Sequence, residues 1–216
     1  MTDVAASEPR ALICDFGGVL TTPLAGAFAA YHERSGIPVG DLQAAIERAT
    51  EEHGGAHPLF ELETGRISER EFLGRLEAHL GAGVTLDGFR EVYFEHLHPN
   101  PPMIERMREA REAGLHTALL TNNVREWGPL WRSKIPDVEE IFEVIVDSAF
   151  VGMRKPERGI YELTLERLGG GVSGADCLFV DDLDVNCEAA REVGMRPVHF
   201  RDNAQALAEI DTALGS

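Results

Sequence analysis

The sequence predicts an α/β protein in which a parallel sheet is interrupted by an inserted block of helices. Two observations support this prediction. Short continuous apolar runs alternate with segments of helical periodicity after residue 100, whereas residues 21–100 contain no convincing strand. Strands that are buried on both faces of a parallel sheet have continuous apolar runs, and their alternation with helices indicates βαβ units.

The elements of the sheet domain follow from these patterns. Strands are predicted at residues 11–14, 116–120, 144–146, 177–180 and 197–200. Helices are predicted between the last four strands and at the C-terminal end, at residues 123–133, 157–168, 185–193 and 204–214. We expect one Rossmann-like parallel sheet with right-handed crossovers.

Residues 21–100 form the second predicted unit, a helical cap. Apolar spacing predicts helices at residues 24–34, 41–53, 69–80 and 86–96, separated by glycine- and proline-containing segments. A segment of this length is too long to be a loop. The sequence PNPPM at residues 99–103 ends one helix and opens the next. We therefore expect a core of residues 1–20 and 101–216 and a cap of residues 21–100.

Composition limits the partners of this chain. Its 37 acidic and 20 basic residues give a formal net charge of -17. Such a surface repels phosphate backbones and anionic lipids, so we expect neither a nucleic-acid nor a membrane partner. No apolar run approaches the length of a membrane span. Assembly as a monomer or a homodimer stays open.

The cysteines and the first residues bear on localisation. The three cysteines are odd in number and form no C-x-x-C motif, which favours reduced thiols: Cys14, Cys177 and Cys187. The segment MTDVAASEPR has no apolar region of the kind found in a secretory signal. Both observations predict a cytoplasmic protein.

Four short polar segments follow the predicted strands and suggest a common site. They are DFGG at 15–18, TNN at 121–123, RKPE at 154–157 and DDLDVN at 181–186. The carboxyl ends of parallel strands share one edge of the sheet, so Asp15, Thr121 and Asp182 are expected to converge there. Carboxylate and carbonyl oxygens suit Mg²⁺, while a hydroxyl, backbone N–H groups and the Lys155 ammonium suit a phosphoryl group. The chemistry indicated is phosphoryl transfer through an aspartyl-phosphate.

In this order the segments resemble the haloacid dehalogenase (HAD) superfamily of hydrolases, over nearly the whole chain. Within this superfamily, the motif sequences are most similar to the phosphatase-like N-terminal domain of soluble epoxide hydrolases and to related proteins with a glycine variant of the nucleophile motif. The phrases that carry the resemblance are DFGGVL, ALLTNN, VGMRKPERGIYE and LFVDDLDVNCEAAREVGM. The resemblance implies a HAD-like core with an inserted cap and a Mg²⁺-dependent phosphatase that acts on a small phosphorylated metabolite.

The resemblance also implies a role for each matching residue. Asp15 would be the nucleophile and a Mg²⁺ ligand, with the backbone carbonyl of Gly17 and the carboxylate of Asp182 as further ligands. The phosphoryl group would be bound by the Thr121 hydroxyl and the Asn122 amide. Charge neutralisation and supporting hydrogen bonds would come from the remaining matches: Lys155, Asp181 and Asn186.

Gly17 departs from the family pattern, because most of its phosphatases have an aspartate there that protonates the leaving group. General acid–base help is worth about 10²–10⁴ in rate, so we expect a preference for phosphates with good leaving groups. A histidine of residues 21–100 is one conceivable substitute acid, although helix histidines are commonly structural. Two alternative functions stay open: a dehalogenase that hydrolyses carbon–halogen bonds, and a slow or non-catalytic pseudo-phosphatase that binds a phosphorylated ligand.

Overall fold

One parallel sheet forms the centre of this protein. The computed structural model describes residues 8–215, with the backbone alone at 24–28, and its five strands pair in the order β3-β2-β1-β4-β5. This is the order of a Rossmann-type sheet. The predicted strands are confirmed to within one residue at each end: β1 (Ala11–Cys14), β2 (His116–Thr121), β3 (Val144–Asp147), β4 (Cys177–Asp181) and β5 (Arg196–His199).

Helices cover both faces of the sheet. One face packs against α10 (Arg158–Leu168) and α11 (Asp184–Glu192), and the other against α6 (Pro101–Glu112) and α12 (Asn203–Leu214). Strand β1 is fully buried because its alternate residues enter two different apolar clusters, one on each face. Burial on both faces explains why this strand has a continuous apolar run in the sequence.

The helix predicted at 123–133 is wrong as one continuous element. The segment contains a 3₁₀ turn (Arg125–Trp127) followed by the short helix α7 (Gly128–Arg132), and Pro129 occupies the first turn of α7. A proline is tolerated in a first turn but breaks a helix interior, so it divides the segment. Two other one-turn helices were not predicted: α8 (Val138–Ile141) and α9 (Ser148–Val151).

The segment of residues 21–100, between β1 and α6, is helical in the described residues. It contains α1 (Leu24–Ser35), α2 (Val39–Glu52), α3 (Pro58–Glu63), α4 (Glu69–Glu77) and α5 (Phe89–His96). Helix α3 was not predicted, and α5 begins three residues later than expected. The chain leaves and re-enters the sheet domain side by side, through an antiparallel bridge between Thr21 and Pro99 and a hydrogen bond from the Asn100 N–H to the Leu20 carbonyl (2.8 Å).

An aromatic cluster joins this helical segment to the sheet domain. Trp127, from the segment that follows β2, packs against Tyr93 and Phe94 of α5 with ring centroids 4.6 and 5.4 Å apart. Phe89 of α5 lies on the same tryptophan, with ring centroids 6.3 Å apart. Large aromatic side chains contribute much of the buried apolar area where two elements meet, so this cluster fixes the helices over the strand ends.

Two sequence expectations bear on membranes and secretion. None of the helices among residues 8–215 is long and apolar enough to cross a membrane. The segment considered as a secretory signal includes residues 1–7, which lie outside the described residues.

Candidate active site

Asp15 stands at the carboxyl end of the central strand. Its backbone N–H donates to the Val180 carbonyl (2.9 Å), which continues the pairing of β1 with β4 by one residue. The Phe16 N–H donates to Asp15 Oδ1 (2.7 Å), and the side chain is buried. The polypeptide therefore holds this carboxylate at the edge of the sheet where ligands of open α/β folds bind.

Lys155 connects Asp15 to the neighbouring strand. Its Nζ lies 2.7 Å from Asp15 Oδ1 and 2.7 Å from Asp181 Oδ2, and its side chain is only 1% exposed. An isolated buried ammonium is strongly unfavourable, whereas one that is paired and hydrogen-bonded is tolerated. The sequence placed Lys155 and Asp15 in one site, and the structure joins them directly.

Asn122 holds the backbone of Lys155. The Asn122 side chain accepts a hydrogen bond from the Lys155 N–H (2.8 Å) and donates one to the Lys155 carbonyl (3.0 Å). The sequence assigned Asn122 only a contact with the phosphoryl group, so this clamp is a second interaction of that residue. Thr121 is the last residue of β2 and is buried beside it.

Asp181 is fully engaged within the protein. Besides Lys155, it accepts hydrogen bonds at Oδ1 from the Leu183 N–H (2.9 Å) and the Asn186 side-chain amide (2.9 Å). Both carboxylate oxygens therefore have protein partners, and its side chain is 0% exposed. This arrangement agrees with a supporting position for Asp181 and Asn186.

Asp182, in contrast, is half-buried and faces the glycine turn that follows Asp15. A Cβ atom on Gly18 would overlap Asp182 Oδ2, and Gly18 has a φ of +79°. A Cβ on Gly17 would meet no atom within 4 Å. Carboxylate oxygens of Asp15, Asp181 and Asp182 lie within 4.8 Å of one another, which makes them a candidate group for a hard cation.

Contacts from the helical segment to the loops of this site were not predicted. The Glu63 carboxylate at the end of α3 pairs with Arg154 Nε (2.6 Å), and the Ser148 hydroxyl donates to the Glu63 carbonyl (2.6 Å). Arg154 also lies over the ring of Phe60, 3.9 Å from its centroid. Because Arg154 precedes Lys155, these contacts attach the helical segment directly to the lysine loop.

Several histidines of the helical segment have structural partners. The Nδ1 atoms of His32, His53 and His96 each lie within 2.9 Å of a backbone carbonyl oxygen of the same segment. His57 stacks on Phe60, with centroids 4.2 Å apart. These contacts agree with structural roles for the four rings.

Comparison with known proteins identifies the family. The profile of haloacid dehalogenase-like hydrolases matches residues 6–194. The chain belongs to this family. Bifunctional epoxide hydrolase 2 of Sus scrofa is 25% identical over 95% of the chain, and the sesquiterpene phosphatase astK of Aspergillus oryzae is 27% identical over 95% of the chain and 97% of its own length.

Solved structures show the same fold. A HAD family enzyme from Bacteroides thetaiotaomicron, in complex with magnesium and inorganic phosphate, is 21% identical and has a TM-score of 0.68 over 89% of this chain and 94% of that one. The chain spans only 19% and 39% of the length of the first curated relatives that it matches. The family assignment confirms a HAD-like hydrolase with phosphatases among its relatives.

In this HAD site, burial and the neighbouring charges act on the pKa values of the buried residues in opposite directions. Burial raises the pKa of Asp15 to about 7; the Lys155 ammonium lowers it, and the Asp181 and Asp182 carboxylates raise it. Burial also raises the pKa of Asp182, and the Asp181 charge adds to that effect. For Lys155 burial acts in the other direction, but the two carboxylates outweigh it and raise the pKa. The site therefore holds an excess of negative charge that an added cation would relieve.

Gly18→Ala is expected to destabilise the protein by about 1–3 kcal/mol, because it places a Cβ against the Asp182 carboxylate and forces a non-glycine residue to positive φ. Chemical denaturation measures the change. Gly17→Ala is the matched control, since its Cβ meets no atom within 4 Å, and its effect should stay within about 1 kcal/mol. Equal losses in the two variants would contradict the steric argument.

Asp15 should make the metal-free protein less stable as the pH rises from 4 to 7. Its folded pKa of about 7 lies above the ordinary 3.8, so the folded state binds this proton more tightly. That stabilisation is complete below pH 3.8 and is lost as the pH passes 7, a change of up to about 4 kcal/mol. Urea denaturation in EDTA should show a flatter pH dependence for Asp15→Asn than for the wild type. Glu188→Gln, at an exposed position, is the control, and an unchanged slope in Asp15→Asn would contradict the assignment.

Proposed function

We propose that this chain is a Mg²⁺-dependent phosphatase that hydrolyses a small phosphorylated metabolite through an aspartyl-phosphate on Asp15. The observation that carries this proposal is the Lys155 ammonium, which lies 2.7 Å from both Asp15 and Asp181 at the edge of the sheet. The HAD family match and the phosphatases among the relatives support it.

In the proposed reaction an Asp15 carboxylate oxygen attacks the phosphorus atom, and the bond from phosphorus to the ester oxygen breaks. Lys155 neutralises charge on Asp15 and on the transferring phosphoryl oxygens, while the Thr121 hydroxyl and the Asn122 backbone amide bind those oxygens. Water then attacks the phosphorus of the aspartyl-phosphate, which releases inorganic phosphate and restores the Asp15 carboxylate.

The residues present fit Mg²⁺. The carboxylates of Asp15 and Asp182 and the backbone carbonyl of Gly17 would hold the ion, with Asp181 supporting them from the adjacent position. Three carboxylates within 4.8 Å, only one ammonium between them, and a raised pKa at Asp15 describe a site with unbalanced negative charge. Bound Mg²⁺ would supply positive charge to the phosphoryl oxygens.

The chain crossings, the cysteines and the net charge bear on the domain bounds, the cellular location and the type of substrate. We assign residues 21–100 to a cap and residues 1–20 and 101–216 to the core, because the chain crosses between them at the paired segments around Thr21 and Pro99. The cysteines among the described residues are buried free thiols, which supports a reducing cytoplasm. The net charge of -17 supports a small-molecule substrate rather than a nucleic acid or a membrane.

Gly17 restricts which esters react quickly. An aspartate at this position could protonate the leaving oxygen, whereas glycine leaves that oxygen to depart as an anion or to take a proton from water. Aryl, acyl and anomeric phosphates and phosphoanhydrides have stable leaving groups. We therefore propose that they are hydrolysed faster than simple alkyl monoesters.

Asp15→Asn is expected to reduce hydrolysis of 4-nitrophenyl phosphate by at least about 10³-fold, because an amide cannot form the acyl phosphate. Release of 4-nitrophenolate with Mg²⁺, and its loss with EDTA, measures the reaction. Unchanged phosphate release in Asp15→Asn across all substrates would contradict the proposed nucleophile. Chloride release from 2-haloacids without phosphatase activity would instead favour the dehalogenase.

Gly17→Asp is expected to raise kcat/KM for alkyl phosphates at least about tenfold and to change aryl phosphates less, because it supplies the absent acid. The open space around Gly17 admits the side chain. Gly17→Asn has nearly the same shape without a transferable acidic proton, so it should give no gain. If both variants behave alike, the absent acid does not limit the reaction.

A further inference from the structure

An apolar cavity of about 130 Å³ lies within the helical segment, against the loop that follows β2. Its walls come from helices α2 to α5 and from Val124 and Trp127 of the sheet domain. The polar side chains among the described lining residues are few: Glu63, Glu69, Tyr93 and Trp127. The other described lining residues are apolar: Phe72, Phe89 and eight leucine, isoleucine and valine side chains.

This cavity borders the loops of the candidate active site through shared and paired residues. Val124 follows Thr121 by three residues, and Glu63 is paired with Arg154, the neighbour of Lys155. Burial raises the pKa of Tyr93, in the cavity wall, and the Asp15 and Glu63 charges add to that effect. Burial also raises the pKa of Glu63, and the Arg154 and Lys155 charges lower it. The Glu63–Arg154 pair thus attaches the cavity wall to the loop that carries Lys155.

The size and charge of the cavity select a class of occupant. A water molecule needs about 10–15 Å³ of such volume, so 130 Å³ corresponds to roughly ten non-hydrogen atoms. The described lining has no lysine or arginine to bind a second anionic group, and the aliphatic side chains offer few hydrogen bonds to a polar one.

We infer that this cavity binds the organic part of the substrate, and that this part is an uncharged apolar group of roughly ten non-hydrogen atoms. The inference rests on the proposed phosphatase function and adds the substrate class. Together with Gly17 it selects phosphates of hydrophobic phenols, or of apolar groups joined through an equally stable leaving oxygen, over sugar phosphates and other polar metabolites.

A series of 4-alkylphenyl phosphates tests the inference on the wild-type protein. Phenyl, 4-methyl-, 4-ethyl-, 4-propyl- and 4-butylphenyl phosphate have nearly the same leaving group and differ mainly in apolar area. We expect kcat/KM to rise about fourfold per methylene until the cavity is filled. A flat or falling series overturns the inference, as does equal turnover of a chain of the same length that ends in a carboxylate.

A variant with a smaller cavity tests whether the alkyl group of the substrate binds there. Leu73→Trp, in the α4 wall, should remove most of the chain-length gain, whereas Leu130→Trp, at an exposed position outside the described lining, should preserve it. Each gain is measured within one variant, as the ratio of kcat/KM for the butyl and the unsubstituted ester. An unchanged ratio in folded Leu73→Trp shows that the alkyl group binds elsewhere.

Binding without turnover separates this inference from the proposed function. Saturable quenching of tryptophan fluorescence by 4-butylphenol, lost in Trp127→Phe, supports the cavity even if no phosphate ester is hydrolysed. That combination would overturn the phosphatase and preserve the apolar site. Hydrolysis of 4-nitrophenyl phosphate with neither quenching nor a chain-length gain would do the reverse.

Discussion

The buried Lys155 ammonium between Asp15 and Asp181 is the interaction on which the site depends. It joins the residue after β1, the last residue of β4 and a loop beyond β3, so three separate parts of the sheet domain must meet at one point. Without these carboxylates the buried ammonium would have no charged partner, which is strongly unfavourable. Asn122 and Asn186 hold the two ends of this bridge through their own hydrogen bonds. The same contacts that assemble the site therefore also fix the relative positions of the strands.

The sheet could be predicted because its strands are buried on both faces, which leaves continuous apolar runs in the sequence. The short helices could not be predicted from the sequence pattern. Helices α8 and α9 have four residues each, too few to show a helical period, and the 123–133 segment has a helical pattern although Pro129 breaks it. Helix α3, with six residues, is also short, and it makes tertiary contacts such as the Glu63–Arg154 ion pair. Local periodicity carries no information on contacts between residues 91 positions apart.

Strand ends also explain what could be predicted of the site. Asp15, Thr121, Asp181 and Asp182 follow or end neighbouring strands, so their convergence is a consequence of parallel topology. The partner of each side chain is a different question. That Asn122 holds the Lys155 backbone, and that both Asp181 oxygens are occupied, depends on loop geometry that no pattern of residue types encodes.

The two adjacent glycines of the turn after Asp15 are explained by different constraints. Gly18 is required by the fold, because its positive φ and the Asp182 carboxylate leave no room for a side chain. Gly17 has neither constraint: its Cβ position is open, and its φ lies outside the left-handed region. Sterics therefore explain one glycine and not the other. In the proposed reaction, the absence of a side chain at position 17 affects the departure of the leaving group, which we place in the apolar cavity.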